Sequence, residues 1–327
     1  LPQKWLEATG VEVRFVEPPG LGGLGFLQRQ AATLAYVVAH PEAFDVYSAF
    51  AREIGELVEA GAVRPIKDFA AAHDPELHAG PCRIPGTVAH FGEYGGQRFG
   101  LPLESSLLSI YYRKDLHDDP AGQERFAAQF GYRLAPPATW RELADQVAFF
   151  HRPKAGMWGA ISIRGAWSYF SYVYRLLCSG GQYFQDDGTP AIADEAAVAA
   201  LEAEAELSAY MPPEVNTWDW MDWYGAFCAG KAYATFAWPS MAKFANDPSF
   251  SKVAGKVGYA LPAGEVNGKR LAVSLNCVAP MWVVSSRSPE PELAYLWAQW
   301  NASPTITAGE IPSIKGPLNP GRESHLN

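Results

Sequence analysis

The stretch "LPLESSLLSIYYRKDLHDD" runs from Leu101 to Asp119. Its first residues continue a strand-like run that begins at Arg98, and Pro102 punctuates it. Glu104, Ser105 and Ser106 then form a polar break. A second apolar run follows at once, so the segment predicts two strands separated by a short polar crossing.

The chain around it has the means for more than one core. It holds 327 residues, 48% of them hydrophobic and 19% charged, which suits two domains or lobes. Lys4 to Thr9 predicts a helix end closed by Gly10. Val11, Val13 and Phe15 then alternate as a strand, a helix is predicted over 26–38, and a buried strand over 44–47. A helix over 51–60 is stopped by Gly61. Over 136–150 Thr139 and Glu142 make a capping box ahead of the stripe Leu143, Val147 and Phe150. Asp194 caps an Ala- and Glu-rich helix, and a further helix ends at Gly230. "AYATFAW" (232–238) and "LAVSLNCVAPMWVV" (271–284) predict strands, and 291–300 a helix. The tail from Ala302, with four prolines, reads as loop. Alternating strands and helices place the chain in the α/β class.

Charge and cysteines exclude several chemistries. Net charge is −9, which argues against nucleic acid and anionic membranes as partners. No apolar run reaches the ~18 residues a membrane span needs. Cys82, Cys178, Cys228 and Cys277 are far apart with no C-x-x-C, so neither zinc nor dithiol chemistry is indicated; they read as buried thiols ahead of disulfides. His73 and His78 read as solvated, not as metal ligands. No cofactor is expected. Gly20, Gly22 and Gly25 do spell G-x-G-x-x-G. However, Pro18 and Pro19 separate them from the preceding strand, and Asp45 begins its apolar run instead of ending it. The glycines therefore read as an entry loop to the 26–38 helix and not as a dinucleotide site.

The 11 tryptophans crowd into polar stretches, "GAWSYFSYVY" (165–174) and "NTWDWMDWYGAF" (216–227). Flat rings stack on sugar faces while carboxylates and amides bind hydroxyls, so these stretches, with Asp219 and Asp222 threaded through the second, suggest a carbohydrate site.

Longer phrases carry a resemblance. The 101–119 stretch is followed by "APPATWREL" (135–143), "GGQYFQDDGTP" (180–190), "AFCAGKAYATFAWP" (226–239) and "DPSFSKVAGKVGYALPAG" (247–264). In this order, over about residues 5–305, they resemble the extracellular solute-binding proteins of sugar-type ABC importers, the family of maltose-binding protein. Members of that family carry a strand before the helix that ends here at Gly10, and more helices after "AQWNASP" than this chain shows.

The resemblance implies a type II periplasmic-binding-protein-like fold of two α/β lobes joined by crossing hinge strands. Lobe I would hold 1–104 and 279–327, and lobe II 105–278. It implies capture of a sugar, oligosaccharide or polyol in the interlobe cleft by hinge closure, delivery to a membrane ABC permease, no catalysis, a monomeric state and a periplasmic or extracellular location. A non-sugar solute such as a phosphorylated polyol stands as the alternative. Less favoured is a glycoside-active enzyme using Glu104 with Asp219 or Asp222.

The ligand-binding residues expected on this reading are Tyr47, Phe50, Glu104, Ser106, Arg164, Trp167, Tyr169, Trp218, Trp220, Trp238 and Asn276. Glu104 and Ser106 stand at the crossing, and Trp238 ends its strand before Pro239. Trp167 and Tyr169 begin the helix after the "GAISIRG" strand (159–165), and Arg164 stands beside them. Asn276 interrupts an apolar run, an odd place for an amide unless it bonds a ligand or hinge backbone.

Overall fold

Helix Pro2–Thr9 ends at Gly10, whose φ of 75° only glycine adopts cheaply. The computed structural model describes residues 1–73, 91–273, 278, 280–312 and 318–320. The chain divides into two units, one of Leu1–Ser106 with Val278–Asn327, the other of Leu107–Cys277.

In the first unit, strand Val46–Phe50 lies antiparallel to Pro280–Val284, which in turn pairs antiparallel with Gly100–Pro102. Alternation sorts side chains to two faces. Val37, Tyr47, Ala49, Ile54, Leu57, Met281 and Val283 fill one core, under helices Phe26–Ala39 and Ile54–Glu59. Ile66, Leu101, Val284, Tyr295 and Ala298 fill the other, against helix Pro291–Asn301. Gly92 has a φ of 78°, and a Cβ there would lie 2.7 Å from the Gly100 backbone, so the chain can approach its own strand only without a side chain.

The second unit is built on a four-stranded mixed sheet, ordered Trp158–Ile161, Ala232–Ala237, Ser109–Arg113, Val257–Ala260. Only the first two of these run parallel. Ala232–Ala237 is central and buried at every position, which is why it reads as a continuous apolar run. Helix Trp140–Phe150 starts with the expected capping box. The Glu142 N–H donates to Thr139 Oγ1 and the Thr139 N–H to Glu142 Oε2, both at 3.2 Å. Its buried stripe includes Leu143, Val147 and Phe150. Asp194 caps helix Glu195–Ser208 through the Ala197 N–H at 2.7 Å.

Four local expectations are corrected. Residues 11–16 form no strand, and Phe15 and Val16 are 72% and 58% exposed; alternation alone makes no ladder without a paired edge. The glycine loop therefore follows no strand, and Gly25 stands at the N-cap of helix Phe26–Ala39. The 271–284 run is not one strand. Lys269–Leu271 closes a hairpin with Gly264–Val266 in the second unit, whereas Pro280–Val284 belongs to the sheet of the first. The tail is not all loop, because Pro304–Glu310 is a helix with Pro304 in its first turn. His73 is not simply solvated: its Nε2 lies 2.6 Å from Glu292 Oε1 and its ring packs near Tyr295. His78 lies outside the described residues.

Candidate functional site

The expected residues of the first unit are buried polar and aromatic groups. Tyr47 and Phe50 occupy strand Val46–Phe50 at 8% and 7% exposure. Beneath them lies a buried carboxylate the sequence did not single out. Glu53 accepts the Phe50 N–H at 3.0 Å and the Tyr47 hydroxyl at 3.4 Å. Burial pushes the Glu53 carboxyl up from its ordinary range, and burial with the Glu53 charge pushes the Tyr47 phenol up as well. The Arg52 guanidinium stands 5.4 Å from the Phe50 ring centre. Tyr47 is thus a core residue that also anchors Glu53.

Glu104 and its two serines are buried where the polar break was read. Ser106 Oγ donates to Glu104 Oε1 at 2.9 Å, and Asn319 donates to both carboxylate oxygens. A cavity of about 760 Å³ in this unit lies elsewhere, bounded by Trp5, Phe44, Trp282, Trp297 and the 11–16 segment. Of the expected ligand residues it touches Tyr47 alone.

In the second unit the tryptophans converge. Trp238 follows the central strand, and its carbonyl accepts the Tyr111 hydroxyl at 3.0 Å. Its ring centre lies 5.5 Å from that of Trp167, edge-on, and 5.6 Å from Trp223. Trp220 joins through Tyr224, 5.5 Å away. Tyr169 packs 3.9 Å from Phe170 yet stays 39% exposed. Trp218 is half-buried in the turn before helix Trp220–Cys228. Asn276 lies outside the described residues. Trp223 and Tyr224 were missed, although Trp220, Trp223, Tyr224 and Phe227 stand at i, i+3, i+4 and i+7, the stripe of a helix.

Two groups have partners within the unit itself. Asp219 and Asp222 cap that helix: the Trp220 N–H donates to Asp219 Oδ1 at 2.7 Å and the Asp219 N–H to Asp222 Oδ2 at 2.9 Å. Helix capping thus accounts for acids between tryptophans. Arg164, at 7% exposure, is committed inside the unit. It donates to Glu204 Oε2 at 2.8 Å, to the Glu204 carbonyl, and to the hydroxyls of Ser171 and Ser208. Arg175 donates to Glu204 Oε1 at 2.8 Å.

Among the described residues no cluster of three or more His, Cys, Asp or Glu could hold a metal. Cys178 and Cys228 are buried free thiols, and burial pushes Cys228 up to about 11. Cys82 and Cys277 lie outside the described residues. No helix among them is long and apolar enough to cross a membrane.

Comparison with known proteins settles the family. The family of bacterial extracellular solute-binding proteins matches residues 2–308. The chain belongs to that family. As a solute-binding protein it shares the type II fold with solved structures at low identity. A ribitol complex of an ABC transporter solute-binding protein from Agrobacterium radiobacter superposes with a TM-score of 0.77 at 20% identity, covering 99% of this chain and 76% of that one. Maltose-bound MalE3 of T. maritima gives 0.77 at 22% identity, covering 100% and 78%. Among curated proteins, a probable amino-acid ABC transporter periplasmic-binding protein of Sinorhizobium fredii is 23% identical over 92% of this chain and 64% of its own length. A mannitol-binding protein of Pseudomonas aeruginosa is 27% identical over 53% and 38%. The chain thus spans less than two thirds of the curated relatives it matches.

Proposed function

We propose that the protein captures a sugar or polyol for an ABC importer, by hinge closure on the solute, and hands it unchanged to a membrane permease from the periplasmic or extracellular side. Its family supplies the class. The observation that carries the solute is the half-exposed ring of Tyr169, backed by the buried aromatic group of Trp167, Trp223 and Trp238. Aromatic faces suit the C–H faces of sugars and polyols. The buried Glu104, with Ser106 beside it, would recognise hydroxyls. Ribitol, mannitol and maltose are the solutes named for similar proteins, and they share this chemistry.

An amino-acid solute is the second reading, because a curated relative carries that name. It would require partners for both an ammonium and a carboxylate. Arg164, the cation expected at the site, is tied to Glu204, which favours a neutral solute. Prolonged incubation with a bound solute, followed by mass spectrometry, should return it intact. Turnover would overturn the reading in favour of a glycoside-active enzyme.

A further inference from the structure

Glu104 raises the question of what holds a carboxylate at 6% exposure. Such a group must be met by donors, since burying an unpaired charge is costly. Ser106 supplies one. Two more come from a single residue 215 positions away. The Asn319 side-chain Nδ2 donates to Oε1 at 2.8 Å, and the Asn319 backbone N–H donates to Oε2 at 2.5 Å. Asn319 is itself only 3% exposed. One residue thus engages both oxygens of the carboxylate and fixes its plane.

The residue type suits this task. An amide presents a neutral donor two bonds beyond Cβ, while the backbone N–H of the same residue reaches the second oxygen. Aspartate would set a second anion against Glu104, and leucine would keep the volume but lose one donor. Pro320 follows, and a residue before proline is biased away from helical backbone. That bias agrees with the non-helical backbone of the 318–320 segment.

We propose that Asn319 is a positioning residue for solute recognition: it aims the Glu104 carboxylate, so affinity for a hydroxyl-bearing solute depends on a residue of the C-terminal tail. The inference rests on the reading of Glu104 as the hydroxyl-binding carboxylate. It adds a determinant of affinity and of selectivity among stereoisomers, because a carboxylate fixed in plane accepts hydroxyls from fixed directions only.

The test is a double-mutant cycle on the full chain, read by calorimetric titration with D-mannitol, ribitol and maltose as probes. Asn319→Leu should raise the Kd of a bound probe roughly tenfold or more, the range for a hydrogen bond to a charged group. In the Glu104→Gln background the same change should alter Kd less than about threefold, because its target is already altered. Asn319→Gln, which keeps the amide, should fall between wild type and Asn319→Leu, and serves as the readout where the leucine variant does not fold. Equal losses in both backgrounds, or an unchanged Kd, would overturn the proposal while leaving the function standing. Failure of the wild-type chain to bind any of the three probes would instead overturn the sugar or polyol reading, and the inference with it.

Discussion

Arg164 and Glu204 pair at 2.8 Å inside the second unit, with side chains only 7% and 8% exposed. Arg175 reaches the other oxygen of the same carboxylate and lies 4.3 Å over the Trp140 ring. Two guanidiniums therefore depend on one acid. Removing the acid leaves two cations in a buried setting, which costs far more than the pair contributes. Glu204→Ala should destabilise the unit by about 3–5 kcal/mol, seen as a lower midpoint in urea. Arg164→Leu should likewise cost stability. A variant at Arg164 that kept its midpoint but lost solute binding would show the guanidinium to be a ligand contact after all.

Tyr169 and Trp238 should separate by exposure. Trp238 is 8% exposed and packed against two other tryptophans, so Trp238→Ala should cost about 3–5 kcal/mol of unligated stability, the cost of a large core truncation. Tyr169 is 39% exposed, and Tyr169→Ala should leave the unligated Tm within a few degrees while weakening solute binding. Paired Tm and Kd measurements check both. A Trp238→Ala protein with native Tm and lost binding would move the stacking role to Trp238.

Acid should loosen the second unit through His117. Its ring stacks with Phe150 at 9° between planes and lies near Tyr112 and Tyr233, with Nε2 2.9 Å from the Tyr233 hydroxyl. Burial pushes this imidazole down to about 4 from its ordinary 6.5, with Asp118 and Asp115 opposing. The folded state therefore binds the proton less readily than the unfolded one. Stability present above pH ~6.5 is lost as pH falls toward 4. His117→Phe should flatten the decline of Tm over that window. An unchanged decline would assign the acid sensitivity to carboxylates.

Much of the fold was legible because its signals are local. Thr139 with Glu142, Asp194, and the left-handed glycines Gly10 and Gly230 each act within a few residues of themselves, and the helices begin or end where they stand. The misread parts depend on distant partners. The alternation of Val11, Val13 and Phe15 would have needed a neighbouring edge. Arg164 looked like a free cation because Glu204 lies 40 residues away. Asp219 and Asp222 resemble sugar-binding acids in sequence, although their partners are the adjacent backbone amides of the helix start. Asn319 carried no signal, since it lies 215 positions from Glu104, in a proline-rich tail. The convergence of Trp167, Trp223 and Trp238 was half visible. Their clustering in the sequence was plain, but which faces meet is decided by the central strand and its flanking helices.

The most direct test of the central claim is a thermal-shift titration of the unmodified chain against D-mannitol, ribitol, maltose and a panel of amino acids. A solute at 100 times its Kd stabilises the folded state by about 2.7 kcal/mol, enough to raise Tm by several degrees. The account predicts such a rise, saturable, with at least one polyol or sugar and none with the amino acids. A rise with amino acids alone, or with no member of the panel, would contradict it.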